Sequence, residues 1–121
     1  MANTLHATVC LAFIAMAAIQ LNDPDPTLWV LLYLCVAAIP AARIFAKKWA
    51  VFWGITMGMA LACLAMPFDG FTHFIDAGNY AAIGGAMSAE QPYIEPAREF
   101  LGTLIGVACL LAYRRWHVAA Q

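Results

Sequence analysis

Four long apolar stretches divide the sequence, and they restrict its fold more than any other feature does. They cover residues 4–21, 26–45, 49–66 and 96–116, and few charged side chains interrupt them. A helix needs about 20 apolar residues to cross the hydrocarbon layer of a bilayer. Hydrophobic residues make up 64% of the chain and charged residues 11%, which is too much apolar surface for a small water-soluble fold to bury. We therefore predict an all-α, polytopic membrane protein, with four transmembrane helices in a bundle and residues 1–121 as one membrane domain.

The first stretch has an alternative interpretation as a cleaved signal peptide. Ala15, Met16 and Ala17 resemble a small-residue cleavage site. A signal peptide normally begins with basic residues, however, and no Lys or Arg precedes Arg43. We expect the first helix to be retained, and its processing is the open alternative.

The basic residues predict how the helices are oriented. Arg43, Lys47 and Lys48 lie between the second and third stretches, and Arg114 and Arg115 lie at the end of the fourth. Four spans place these two positions on one side of the membrane, which is the cytoplasmic side by the positive-inside rule. Both termini are then cytoplasmic. The small size of the chain and this clustering of basic residues are typical of a bacterial cytoplasmic (inner) membrane protein.

The acidic residues follow the opposite distribution. All seven fall in the extracytoplasmic segments or at that boundary, namely Asp23, Asp25, Asp69, Asp76, Glu90, Glu95 and Glu99. The net charge of −1 conceals this separation. The chain has no basic patch of the kind that binds nucleic acid, so we predict no nucleic-acid partner.

The segment Asn22-Asp23-Pro24-Asp25-Pro26 joins the first two helices. Asn22 tolerates the left-handed conformation that ends many helices, and Pro26 suits the first position of the next helix. Asp25 before it is a typical N-cap residue, whose carboxylate accepts hydrogen bonds from first-turn amides. Glu95 and Pro96 repeat this pattern before the last helix. A well-capped turn would explain the segment without any binding role.

Two GxxxG patterns predict close helix packing. Gly54 and Gly58 lie in the third helix, and Gly102 and Gly106 lie in the last one. Small residues at this spacing let two helix backbones approach each other in a membrane. Glu99 shares the glycine-bearing face of the last helix, so we expect it to point into the bundle.

The segment 67–95 is long for a connection and predicts a partly structured extracytoplasmic loop. Its middle, residues 77–87, is apolar and rich in small side chains. We expect an interfacial or shallow re-entrant helix there, followed by irregular structure over residues 87–93.

The stretches QLNDPDPTLWV and EPAREFLGTLIG together resemble the transmembrane protein 220 family. That family consists of small multispanning membrane proteins with an NDPDP-type turn after the first helix and an E-x-x-R-E-x-x-G segment that opens a later helix. Asn22 to Pro26 match the first motif, and Glu95, Arg98, Glu99 and Gly102 match the second. The resemblance implies the membrane topology and singles out these residues, but it implies no reaction and no catalytic residues.

Arg98 needs acidic partners, because a cation in the first turn of a helix is opposed by the helix dipole. We predict that Arg98 bridges the turn after the first helix to the start of the last one. One cation cannot neutralise every nearby acid, so surplus negative charge would raise carboxylate pKa values or recruit a cation. The predicted binding site, which we call the acidic/Arg cluster, comprises Asn22, Asp23, Asp25, Glu95, Arg98 and Glu99.

A divalent cation is the cofactor that this cluster suggests, since calcium, magnesium and manganese prefer oxygen ligands. Asp69, His73 and Asp76 form a second candidate metal set, and they share one face only if that part of the loop is helical. The remaining histidines, His6 and His117, lie near Trp116 at the cytoplasmic end, where interfacial anchoring explains them. The four cysteines, one in each predicted helix, are expected to act as small apolar side chains.

These observations favour a non-enzymatic binding or assembly role at the acidic/Arg cluster, for a cation, a lipid headgroup or a partner protein. One alternative is a membrane-embedded enzyme that uses Asp and Glu residues on an amphiphilic substrate, with or without a metal. Another is a small transporter in which Glu99 carries a proton or ion. The expected partners are membrane lipid and either further copies of the chain or a larger membrane complex.

Overall fold

The protein is built entirely from helices. The computed structural model describes residues 2–23, 25–78, 80–84 and 92–118. They form α1 (Ala2–Gln20), α2 (Pro26–Ile44), α3 (Ala50–Ala65), α4 (Phe68–Ala77), a 3₁₀ turn (Tyr80–Gly84) and α5 (Ile94–Val118). The all-α prediction is confirmed, and the four long helices begin and end within two residues of the predicted bounds.

Helix α2 lies at the centre of the molecule. It packs along α1 on one side and contacts α3 and α5 on the other, while α5 also packs against α3 and α4. Eight residues of α2 are buried, compared with two in α1. The core draws its buried side chains from four helices: Phe13, Ala17, Trp29, Leu32, Tyr33, Val36, Ala37, Ile39, Ala60, Cys63 and Leu110.

The outer surface of the helices is as apolar as the core. Large side chains such as Leu11, Ile19, Val51, Ile55 and Ile105 are more than half exposed. A helix that is hydrophobic all round belongs in a lipid environment when it is not enclosed by protein. These exposed side chains are therefore the surface that contacts the acyl chains of a bilayer.

Among the described residues, α1 and α2 are each long and apolar enough to cross a membrane. A third span results if α3 and α4, which meet at an angle of 47°, are taken as one broken span. The structure thus supports two to three spans, where the sequence predicted four. Helix α5 does not qualify, because charged residues flank its apolar segment closely: Arg98, Glu99, Arg114 and Arg115.

The segment after α3 differs from the prediction. Within the range 77–87, where a helix was expected, the described residues form the 3₁₀ turn Tyr80–Gly84, and residues 79 and 85–87 lie outside the described part. The amphipathic helix α4 was not predicted; it precedes that turn and ends at Ala77. Gly78 ends it with a left-handed φ of 72°, a conformation that favours glycine. The irregular structure predicted over residues 87–93 lies largely outside the described residues.

Aromatic packing holds α4 against the start of α5. The rings of Phe71 and Phe100 are stacked with their centroids 4.2 Å apart. Phe74 is buried beside Tyr93 and the fully buried Ile94. The contact requires a glycine at position 70, since a Cβ there would overlap the ring of Pro96. This docking sets the position of the first turns of α5.

The two GxxxG patterns have different surroundings. Gly102 and Gly106 of α5 are buried and face Tyr33 and Val36 of α2, so close packing is confirmed there. Gly54 and Gly58 of α3 are exposed, and no described atom lies within 4 Å of where their Cβ atoms would be. The prediction that both patterns pack within the bundle is therefore wrong for α3.

Histidine side chains tie the helices together at the end of the bundle that carries the basic residues. His117 is fully buried; its Nδ1 accepts a hydrogen bond from the Trp49 N–H at 3.0 Å, and its Nε2 lies 3.2 Å from the Ile39 carbonyl. Nδ1 of His6 on α1 is hydrogen-bonded to the Tyr113 hydroxyl of α5 at 2.6 Å. The expectation that His117 anchors the chain at the interface is replaced by a role in joining α2, α3 and α5.

Candidate functional site

The turn after α1 carries the first carboxylate of the site. Backbone hydrogen bonds continue past the helix end, from the Leu21 amide to Ala18 at 3.2 Å and from the Asp23 amide to Gln20 at 3.0 Å. Among the described residues, only Ala46 and Gly78 have positive φ values. The left-handed conformation expected at Asn22 is therefore wrong, and the turn closes by helix-like bonds that leave Asp23 partly buried.

The start of α2 agrees with the prediction only in its backbone. Asp25 occupies the N-cap position and Pro26 begins the helix. The Asp25 side chain, however, makes no capping hydrogen bond and is exposed to solvent. Asp25 thus contributes negative charge near the site without being fixed in place.

Helix α5 supplies the other carboxylates from its first two turns. The helix begins at Ile94, so Glu95 lies inside the first turn, not at the cap before Pro96 as predicted. Glu95 and Glu99 are four residues apart and share one helix face. Both are partly buried, because α5 is held at this end by the aromatic contacts to α4.

Asp23, Glu95 and Glu99 come together at this end of the bundle, and we call them the carboxylate triad. One oxygen atom from each residue can be chosen so that all three lie within 4.8 Å of one another. The triad joins a turn and a helix that are more than 70 positions apart in the sequence. No local spacing in the sequence places these three residues together. The packing of α1, α2 and α5 brings them into one group.

Among the described residues, Arg98 makes a hydrogen bond to the segment after α4 in place of the predicted bridge to the turn after α1. Its Nε donates a hydrogen bond to the carbonyl of Ile83 in the 3₁₀ turn. Its guanidinium is near enough to lower the pKa values of Asp23 and Glu95. For both groups, however, the loss of hydration and the charges of neighbouring aspartates raise the pKa by more. Arg98 therefore joins the 3₁₀ turn to α5, and its single positive charge offsets only part of the negative charge of the triad.

Burial and mutual repulsion raise the pKa values of Asp23 and Glu95, which lie outside the apolar span 96–116. Loss of hydration raises the pKa of Asp23 above its ordinary value, and the neighbouring Asp25 charge raises it further. Burial likewise raises the pKa of Glu95, and the charges of Asp23 and Asp25 add to this effect. Both groups hold their protons more tightly in the folded protein than in an unfolded chain.

Two side-chain oxygens in this region are buried without a hydrogen-bond partner among the described residues. One is Oε1 of Glu95, and the other is Oε1 of Gln20 at the end of α1. A buried acceptor that lacks a donor costs about 1–3 kcal/mol, and a charged one costs more. Gln20 was not among the predicted site residues, although its position three residues before Asp23 was a signal that could have indicated it.

The other predicted site residues do not join the triad. Asn22 is exposed in the turn. Asp69, His73 and Asp76 do share one face of α4, since that segment is helical, but all three are exposed. Within the described part of the chain, the triad is the group of three ligand side chains whose atoms are close enough to share one ion, and the α4 residues form no such group.

The comparisons with known proteins concern the chain as a whole. A family model described as "Transmembrane family 220, helix" matches residues 12–115. This match includes the turn after α1, all of α2 to α4 and the triad. The searches against curated proteins and against solved structures each found no match.

Proposed function

Since the chain belongs to transmembrane family 220, which makes it an integral membrane protein, we propose that it binds a hard divalent cation at the carboxylate triad. The observation that carries this proposal is the convergence of Asp23, Glu95 and Glu99 within 4.8 Å. The role is one of binding, with no chemical step. It agrees with the cation-binding form of the function predicted for the acidic/Arg cluster.

The spacing of the triad suits an ion of the size of calcium. Calcium binds oxygen ligands at about 2.3–2.6 Å, so two ligands of one ion lie at most about 5 Å apart. Three carboxylate oxygens within 4.8 Å satisfy that limit without rearrangement of the backbone. Magnesium has ligand distances of about 2.0–2.1 Å and needs its ligand oxygens within about 4.2 Å of one another.

Electrostatics gives a reason for binding. Two like charges about 5 Å apart repel by about 3 kcal/mol at an effective dielectric constant of about 20. The triad contains three such pairs. The single guanidinium of Arg98, which donates a hydrogen bond to the Ile83 carbonyl, offsets only part of their repulsion. A bound cation would remove this repulsion and would also provide a partner for the unpaired Glu95 oxygen. A proton is the competing occupant, because the pKa values of Asp23 and Glu95 are raised.

The proposed topology places the triad outside the cytoplasm. We propose that α5 crosses the membrane as a fourth span, since its apolar residues 96–116 would extend over about 31 Å at 1.5 Å per residue, about the thickness of the hydrocarbon layer. The basic residues then mark the cytoplasmic face of a bacterial inner membrane. We expect a second copy of the chain or a larger membrane complex to pack on the exposed glycine face of α3.

The experiment measures metal binding to the detergent-solubilised protein after chelator treatment and dialysis. We expect calorimetry to give one calcium ion per chain at neutral pH, with a Kd of about 10⁻⁴ M, typical of extracellular calcium sites. Asp23→Asn and Glu95→Gln should each abolish binding. Asp69→Asn and Asp76→Asn in α4 are matched controls, because each removes one exposed carboxylate outside the triad and should preserve binding.

Three results would reject the proposal. The first is an absence of heat with calcium, magnesium and manganese alike at pH 7. The second is equal weakening by the triad variants and the control variants, which would indicate general attraction to a negative surface. The third is a monovalent ion that stabilises the protein as much as calcium does. An absence of metal binding combined with proton uptake near neutral pH would assign the triad to proton binding.

A further inference from the structure

The end of the bundle opposite the triad has a cavity that the cation proposal does not use. It has a volume of about 650 Å³ and lies between α1, α2 and α5. Pockets that hold small molecules commonly have volumes of about 300–1,000 Å³. We propose that this cavity binds the headgroup of an anionic phospholipid from the cytoplasmic leaflet.

The cavity has a charged end and an apolar end. Arg43 of α2 and Arg115 of α5 line it near the helix termini. Val9 of α1 and Ala112 of α5 line it further along their helices, toward the middle of the bundle. A phospholipid has the same polarity, since its phosphate lies at the water boundary and its acyl chains extend into the hydrocarbon. The lining therefore matches a lipid better than a wholly water-soluble anion.

The cations of this region have no nearby acidic side chains in the sequence to balance them. Segments 2–22, 26–68 and 100–118 contain no Asp or Glu, and they include every residue that lines the cavity. The same segments contain five basic residues: Arg43, Lys47, Lys48, Arg114 and Arg115. An anion from outside the chain would supply neutralising charge, and the cytoplasmic leaflet is rich in anionic lipid.

Arg43 is held in a position that suits phosphate recognition. Its guanidinium carbon lies 3.5 Å from the centroid of the Trp116 ring, and the ring is fixed by a 3.0 Å hydrogen bond from its Nε1 to the Lys47 carbonyl. Stacking engages the face of the guanidinium and leaves its edge N–H groups available as donors. Such a planar edge can bind two phosphate oxygens at once.

The opposite wall of the cavity is also fixed before any ligand binds. His6 and Tyr113 both line the cavity, and the hydrogen bond of 2.6 Å between them joins α1 to α5. Their rings are in edge contact, with centroids 5.3 Å apart. Because the walls are already connected, binding would require little ordering of side chains, which favours affinity.

The test uses native mass spectrometry of the full chain in a zwitterionic detergent. Phosphatidylglycerol and phosphatidylcholine with identical acyl chains are added in separate titrations. We expect one phosphatidylglycerol per chain to bind at least tenfold more tightly than phosphatidylcholine. Inorganic phosphate and glycerol phosphate at millimolar concentration should not displace it, since they lack the acyl chains.

The variants separate a built site from general surface attraction. Arg115→Gln and Arg43→Gln should each weaken phosphatidylglycerol binding by about tenfold or more, the value of one charge-assisted hydrogen bond. Arg114→Gln is the matched control, because it removes the same charge from the same helix end but does not line the cavity. Its effect should remain below about fivefold, the contribution of a basic residue at a charged membrane surface.

Val9→Trp supplies an independent variant, because it fills the cavity without changing any charge. It should weaken phosphatidylglycerol binding as strongly as Arg115→Gln does. If Arg43→Gln does not fold, the test of the proposal uses the variants Arg115→Gln, at an exposed position, and Val9→Trp. Equal effects of Arg114→Gln and Arg115→Gln, unchanged binding in Val9→Trp, equal binding of the two lipids, or displacement by inorganic phosphate would each overturn the proposal.

Discussion

Replacement of Gly102 by alanine tests the packing on which the candidate site depends. Gly102 lies in α5 between the triad and the core and faces Tyr33 of α2. A Cβ added at Gly102 would overlap the Tyr33 hydroxyl and would lie 3.2 Å from Cζ and 3.5 Å from the Met16 methyl carbon. Tyr33 is only 2% exposed and packs against Phe13, so its ring has little room to move aside.

The expected magnitude follows from two opposing effects. Overpacking of a well-packed core by one carbon costs about 1–3 kcal/mol. Alanine is about 1 kcal/mol more favourable than glycine inside a helix, which offsets part of this cost. We expect Gly102→Ala to lower the free energy of unfolding by up to about 2 kcal/mol. Gly54→Ala in α3 is the matched control and should be neutral or stabilising, since no described atom lies near its Cβ.

The assay is reversible unfolding in mixed micelles, followed by far-UV circular dichroism. The double variant Gly102→Ala, Tyr33→Phe removes the overlapping hydroxyl and should recover much of the lost stability, which a double-mutant cycle would report as coupling between the two positions. A Gly102→Ala variant as stable as Gly54→Ala would refute the close approach of α2 and α5. A loss of stability without recovery by Tyr33→Phe would refute the assignment of the contact to the hydroxyl.

Two further predictions concern the two ends of the bundle. Because the pKa values of Asp23 and Glu95 are raised above their ordinary values of 3.8 and 4.5, the folded protein binds protons more tightly than the unfolded chain. In the presence of a chelator, its free energy of unfolding should therefore increase as the pH falls from 7 toward about 4.5. Asp23→Asn should make this dependence on pH weaker. A free energy of unfolding that decreases over the same pH range would contradict the raised pKa values. At the basic end, His117→Ala should lower the free energy of unfolding by about 2–4 kcal/mol in the same micelle assay, because it leaves a cavity and two backbone partners unpaired. His73→Ala on the exposed face of α4 is its control, and equal effects of the two variants would show that the buried hydrogen bonds of His117 contribute nothing.

The sequence by itself determined the four long helices. Apolar length sets where each long helix lies, and proline positions set some of their ends, as Pro26 does at the start of α2. These are local properties of the chain, so they can be recognised without knowledge of the fold. The separation of acidic and basic residues between the two ends of the long helices was equally visible, because it follows from the order of the charges along the sequence.

The tertiary structure decided which of the candidate residues meet. Rotation of each helix about its own axis is set by packing, and that rotation buries Gly102 while leaving Gly54 exposed. The packing of the 3₁₀ turn on α5 brings the Ile83 carbonyl to Arg98, so the guanidinium joins this turn to the helix and offsets only part of the acidic charge. Contacts between residues far apart in sequence depend on how whole helices fit together, and no local pattern encodes the 4.8 Å convergence of Asp23 with the glutamates of α5.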